Sequence, residues 1–208
     1  MKYGVIFSKI KTMDKINLKK SCLLIIDMEY GFIDKNSPLF VKNGPKIVKN
    51  IKKILENFRN KNLPIIFVKR EHRDSGVDID KVRLEVFKKS NGLITENDKS
   101  SEIIKDLKPL KNEIVVIKRR WSAFFGTELE ILLKRLKIEN LIVTGVQTPN
   151  CIRATVYDAL SLDYDVIVIS DATASSSKKI QKYNLSDMEN IGVKLLSTEE
   201  IIDMIQNF

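Results

Sequence analysis

One histidine, one tryptophan and two cysteines are all that this 208-residue chain holds of those residue types. Each scarcity excludes something. Two cysteines, Cys22 and Cys151, build no disulfide framework, so a reducing, cytoplasmic setting is the expectation. A lone imidazole, His72, falls short of the three or four protein donors a zinc site normally uses, so no metal and no cofactor is expected. No apolar run reaches the length needed to span a bilayer. The opening MKYGVIFSKIKT has neither an apolar h-region nor a small-residue cleavage site, so we expect no signal peptide and no membrane partner. Internal repeats and low-complexity linkers are missing as well. What remains, 43% hydrophobic and 30% charged residues, is ordinary globular composition. The length suits one domain over residues 1–208, with an irregular basic lead-in over 1–20.

The net charge of +9 raises the question of nucleic acid. The lysines, however, are spread along the chain among 27 acidic residues. The densest set, Lys46, Lys49, Lys52 and Lys53, falls on the polar side of an amphipathic helix, which reads as a solvated face. With no nucleic-acid motif beside it, the charge leaves a small molecule as the expected partner.

Short apolar runs recur with helical patterns between them. Cys22–Ile26, Pro64–Val68, Ile114–Ile117, Leu141–Thr144, Val166–Ile169 and Val193–Leu196 read as strands buried on both faces. Gly44-Pro45 opens a helix to about Asn60, with Ile47, Val48, Ile51, Ile54, Leu55 and Phe58 at helical spacing. Thr127 through Glu130 matches a capping box for a helix reaching about Leu136, and Thr198–Gln206 closes the chain. Between Lys69 and Leu110 only a short helix near Val82–Lys88 and a turn at Asn91-Gly92 are legible; so long an insertion suggests a functional lid. The alternation predicts an α/β fold, a three-layer α/β/α sandwich around a mostly parallel, doubly wound sheet with right-handed crossovers.

In such a sheet, ligands bind beyond the carboxyl ends of the strands. Asp27 follows the first strand, Lys118 the third, and Cys151 the turn after the fourth, where Gly145 ends the strand. Thr148 suits the N-cap and Pro149 the first helical position, which places Cys151 in a first helical turn. Free N–H groups and the helix dipole there favour a thiolate and an oxyanion. Packing alone explains a buried cysteine equally well; the convergence of three unlike reactive groups on one edge favours chemistry. Asp27 is suited to take the thiol proton and return it to a leaving amine, with Lys118 stabilising both anions. Asp171 reaches the same edge, and we expect it to tie down the 171–177 loop. Cys22, at the far end of its strand, is packing.

These residues also carry a resemblance. CLLIIDMEYGF, VIKRRWSAFFGTEL and LIVTGVQTPNCIRATVYDALSLDYDVIVISDATAS resemble, in order, blocks of the isochorismatase-like cysteine hydrolases, nicotinamidase-like members included. The resemblance implies a catalytic triad of Asp27, Lys118 and Cys151. It also implies a cis peptide between Val146 and Gln147, and an oxyanion hole from the Gln147 and Cys151 N–H groups. Family nicotinamidases hold a metal through an acidic residue and two histidines, a set this chain cannot assemble. Family isochorismatases often lack the cysteine, so Cys151 points to amide, carbamoyl or ureido substrates. Trp121 and Phe32 are expected to wall the pocket; Phe124 suits either the pocket or the core. His72 is expected as a pocket or loop residue rather than a ligand. Arg70, in the loop after the second strand, reads either as a fork for a substrate carboxylate or as an exposed loop arginine. The resemblance further implies a homo-oligomer, a dimer or tetramer. The alternative is a binding protein that keeps the fold without efficient hydrolysis.

Overall fold

Six apolar runs become six parallel strands. β1 (Ser21–Ile26), β2 (Ile65–Arg70), β3 (Ile114–Lys118), β4 (Asn140–Val146), β5 (Asp165–Ala174) and β6 (Lys194–Leu196) form one sheet in the order β3-β2-β1-β4-β5-β6. Every pairing in it is parallel. The computed structural model describes residues 16–89 and 94–208. Most of the expected lead-in and the turn at Asn91-Gly92 therefore lie outside the described residues.

Each strand splits its side chains between two cores, because successive residues point to opposite faces. Leu23, Ile25, Phe67, Ile142 and Ile167 face one core, and Leu24, Ile26, Val68, Val116, Val143 and Val168 face the other. The first core is covered by α2 (Gly44–Asn60), through Ile47, Ile51, Ile54, Leu55 and Phe58, and by α7 (Thr198–Gln206), through Ile201, Ile202 and Ile205. The second is covered by α4 (Leu129–Arg135), α5 (Arg153–Ser161) and α6 (Lys178–Asn190), through Leu129, Leu133, Val156, Ala159 and Met188. This is a three-layer α/β/α sandwich. Two short helices, α1 (Tyr30–Ile33) and α3 (Leu84–Lys89), lie in the connections. Among the described residues no helix is long and apolar enough to cross a membrane.

Several elements differ from what the local pattern predicts. β2 runs past its apolar residues to Arg70, because Arg70 pairs with Lys118 on β3. β4 does not end at Gly145 but continues to Val146, and β5 runs through Asp171 to Ala174, since Gly145 and Val146 pair with Thr173 and Ala174. Asp171 therefore does not tie down a 171–177 loop. Its Oδ1 accepts from the Thr198 N–H and hydroxyl, both at 2.8 Å, which anchors the start of α7. The capping box proper is at Ser197, whose hydroxyl accepts from the Glu200 N–H while Glu200 accepts from the Ser197 N–H. The box expected at Thr127 does not form: α4 starts after Glu128, and Glu130 pairs with Lys134 one turn on.

The chain order reverses between β1 and β4, so a crevice opens beyond their carboxyl ends. Gly145 lies at that point with φ +112°; a Cβ there would sit 2.0 Å from the Ile26 carbonyl oxygen. Only glycine lets β4 pass the end of β1 this closely.

Candidate active site

Three strand ends deliver the reactive groups. Asp27 follows β1 in the left-handed region, φ 54°, and its N–H bonds the Val68 carbonyl at 2.8 Å. Lys118 is the last residue of β3 and shares a face with Val116, so it projects over the second core. Cys151 follows β4. It lies not in an ordinary first turn but in a π-helical turn, Thr148–Ile152, which Gln147 caps. Thr148 therefore is not the N-cap, and its buried hydroxyl has no partner. The Gln147 carbonyl accepts from the Asn150 and Ile152 N–H groups, passing over that of Cys151 between them. The Val146–Gln147 peptide is cis.

The structure brings Asp27, Lys118 and Cys151 together in a buried cluster. The Lys118 Nζ lies 2.8 Å from Asp27 Oδ2 and 3.4 Å from Cys151 Sγ, and donates to the Arg120 carbonyl at 3.1 Å. Thr155, one turn beyond Cys151, fastens the turn from behind. Its hydroxyl donates to the Cys151 carbonyl at 2.7 Å and accepts from the Ala123 N–H at 2.9 Å. Burial pushes the Cys151 thiol above its ordinary range and the Asp27 charge adds to this, while Lys118 and Arg70 pull the other way. The helix-end argument for a resting thiolate therefore does not prevail; desolvation outweighs it. A thiol beside a carboxylate is a nucleophile that still needs its base.

Sequence reasoning missed a second carboxyl at this edge. Glu29 is fully buried; its Oε1 accepts the Arg70 N–H at 2.6 Å and its Oε2 has no partner. Burial first, then the charge of Asp27, raise its pKa well above the carboxylate range, against Lys118 and the Arg70 N–H. The available signal was an acid two residues after Asp27, at a strand end.

Beside the cluster is a cavity of about 410 Å³ lined by Phe32, Arg70, His72, Trp121, Gln147 and Asn150, and by Ile79, Asp80, Arg83, Val86, Phe87 and Ile94 from the illegible insertion. That volume suits a small molecule. The insertion is pinned over the cavity rather than hanging free. Arg119 pairs with Asp78 at 2.7 Å and donates to the Glu71 carbonyl, and Arg120 donates to the Asp78 carbonyl at 2.6 Å. Trp121 is half-exposed at the rim beneath the Arg83 guanidinium, 5.4 Å away. Phe124 does not line this cavity; its ring stacks on Tyr164 at 6.0 Å and packs against the second core. Arg70 is not an exposed loop residue but the 1%-exposed end of β2. His72 has its Nδ1 3.4 Å from Asp78. Burial and the Arg70 charge lower its pKa to about 4, against Asp78, so the ring is neutral near pH 7. Among the described residues, no group of three or more His, Cys, Asp or Glu side chains is placed to hold a metal ion.

Comparison with known proteins places the fold. Residues 21–200 match the isochorismatase domain. A probable inactive nicotinamidase of Arabidopsis thaliana is 37% identical over 185 residues, 88% of this chain and 94% of that protein. The crystal structure of an isochorismatase family protein from Desulfovibrio vulgaris superposes with a TM-score of 0.86 at 35% identity, over 90% of this chain and 98% of that one. That of an N-carbamoylsarcosine amidase from Thermoplasma acidophilum gives 0.72 at 26%, over 86% and 96%.

Proposed function

This chain belongs to the isochorismatase family, and on that premise we propose that it is a cysteine-dependent amidohydrolase acting on a small amide, carbamoyl or ureido C–N bond. The observation that carries the reading is the buried Asp27–Lys118–Cys151 cluster, with Lys118 Nζ 2.8 Å from one partner and 3.4 Å from the other. Asp27 takes the Cys151 proton as sulfur attacks the carbonyl carbon. The oxyanion rests on the Gln147 and Cys151 N–H groups. The C–N bond breaks, the leaving amine or ammonia takes the proton from Asp27, and a thioester remains on Cys151. Asp27 then draws a proton from water, which hydrolyses the thioester and restores the thiol. Lys118 compensates the negative charge as it passes between Asp27 and sulfur. No cofactor enters these steps. Two free cysteines suit a reducing, cytoplasmic compartment, and we take the working form to be a homo-oligomer, which size-exclusion chromatography with light scattering would check.

The test is ammonia release from nicotinamide, N-carbamoyl amino acids and ureido acids, with Cys151→Ala alongside wild type. Release that depends on Cys151 supports the mechanism; release that persists in Cys151→Ala overturns it. A second reading, a binding protein without efficient hydrolysis, has one specific observation behind it: the Arabidopsis relative is described as probably inactive. It predicts tight binding of one of these compounds with no product.

A further inference from the structure

We propose that Arg70 is the receptor for a carboxylate on the substrate, so that the cavity selects small monoanionic amides over their neutral counterparts. This inference rests on the amidohydrolase reading for the identity of the reacting bond, not for the anion site itself. Arg70 is 1% exposed, and none of its three guanidinium nitrogens has a hydrogen-bond partner. Such a cation is costly to bury unless a partner comes to it. The nearest carboxylate is too far for a hydrogen bond: Asp80 Oδ2 is 3.7 Å from Arg70 Nη1, while Asp80 lies closer to Arg83, 2.8 Å from Nη2 and accepting from Nε at 3.0 Å. Asp80 stays below the ordinary carboxylate range despite its burial, chiefly through Arg83 and to a smaller degree through Arg70.

Charge around the cavity gives the same answer. Its titratable lining residues are Arg70, His72, Asp80 and Arg83. Asp80 makes its short contacts with Arg83 and His72 is neutral, which leaves one positive charge in excess along the lining. The neighbouring Asp78 is occupied by Arg119 at 2.7 Å, and Asp27 is matched by Lys118 at 2.8 Å. Glu29 meets only the Arg70 backbone N–H, through Oε1 at 2.6 Å, and burial disfavours its charged form. The site lacks one negative charge, and a planar fork of donors fits a carboxylate best.

Position completes the case. Arg70 and Lys118 are register partners on adjacent parallel strands, so both side chains leave the same face of the sheet as the approach to Cys151. Gln147 and Asn150, from the turn that holds Cys151, line the same cavity as Arg70. One small molecule can therefore place its carbonyl at Cys151 and its carboxylate at Arg70.

Matched pairs test this. N-carbamoylglycine is compared with N-isobutylurea, and succinamate with 4-methylpentanamide; in each neutral compound two methyl groups replace the carboxylate oxygens. Ammonia release by wild type and calorimetric binding to Cys151→Ala are measured for all four. We expect at least one anion to be preferred by about 100-fold, the scale of a charge-assisted bidentate pair. Adding Arg70→Gln should bring that ratio to within about threefold of unity, and Arg70→Lys should restore part of it. Equal affinity within both pairs, no binding by any compound, or a preference that survives Arg70→Gln overturns the inference. If Arg70→Gln does not fold by circular dichroism, the ratio within the pairs decides alone. Anion binding that depends on Arg70 without hydrolysis supports this site and overturns the amidohydrolase reading; hydrolysis without anion preference does the reverse.

Discussion

Replacing Asp27 by asparagine should make Cys151 more reactive toward an alkylating agent while abolishing turnover. The two effects have different origins. In the wild type the Lys118 ammonium sits 2.8 Å from Asp27 and 3.4 Å from sulfur, so the carboxylate cancels most of what the ammonium offers a thiolate, and its own charge opposes ionisation of the thiol. At an effective dielectric of about 20, an ammonium and a thiolate 3.4 Å apart attract by roughly 5 kcal/mol. Each 1.4 kcal/mol or so released to the thiolate raises its population about tenfold. If only a third of that attraction is unmasked, iodoacetamide should modify Cys151 about tenfold faster at pH 7.5. The substitution is sterically mild, and asparagine tolerates the left-handed backbone of residue 27 (φ 54°). Turnover should meanwhile fall by about 10²- to 10⁴-fold, the usual worth of a general base. The assay is stopped alkylation followed by intact-mass measurement, with Cys151→Ala identifying the site and circular dichroism verifying the fold. A folded Asp27→Asn protein that alkylates no faster than wild type would refute the charge argument.

Glu29→Gln tests the second buried carboxyl. Because the folded pKa is raised above 4.5, the unfolded chain releases this proton first as pH rises, so stability declines from about pH 4.5 upward. The variant cannot titrate, and its stability relative to wild type in urea unfolding should grow as pH rises above 4.5; a pH-independent difference would contradict a raised Glu29 pKa. Gly145→Ala forces a Cβ to within 2.0 Å of the Ile26 carbonyl oxygen at φ +112°, and should cost at least about 3 kcal/mol in chemical denaturation, given 1–3 for the backbone alone. A loss below 1 kcal/mol would mean that β1 and β4 can move apart.

How much of the site is legible beforehand depends on how local its cause is. Asp27, Lys118 and Cys151 stand next to apolar runs whose strand character is a matter of a few neighbouring residues, and strand ends are where a parallel sheet presents its chemistry. The exposed-loop alternative for Arg70 fails because β2 extends to pair with Lys118, 48 residues later in the chain, and nothing adjacent signals that extension. Phe124 goes to the core because the Tyr164 ring, 40 residues later in the chain, meets it there. Asp80 and Arg83 belong to an insertion with almost no periodicity, held in place by Arg119 and Arg120 rather than by its own pattern.

The residue order by itself determined the six strands, their parallel α/β arrangement and the three groups that end on one edge, because alternation and helical spacing record which face each residue buries. Tertiary structure alone decided the charge states. That the Cys151 and Glu29 pKa values are raised, and that the Arg70 guanidinium has no hydrogen-bond partner, follow from desolvation and from charges contributed by separate strands and loops. Those energies are sums over neighbours in space, and no window of the sequence contains them.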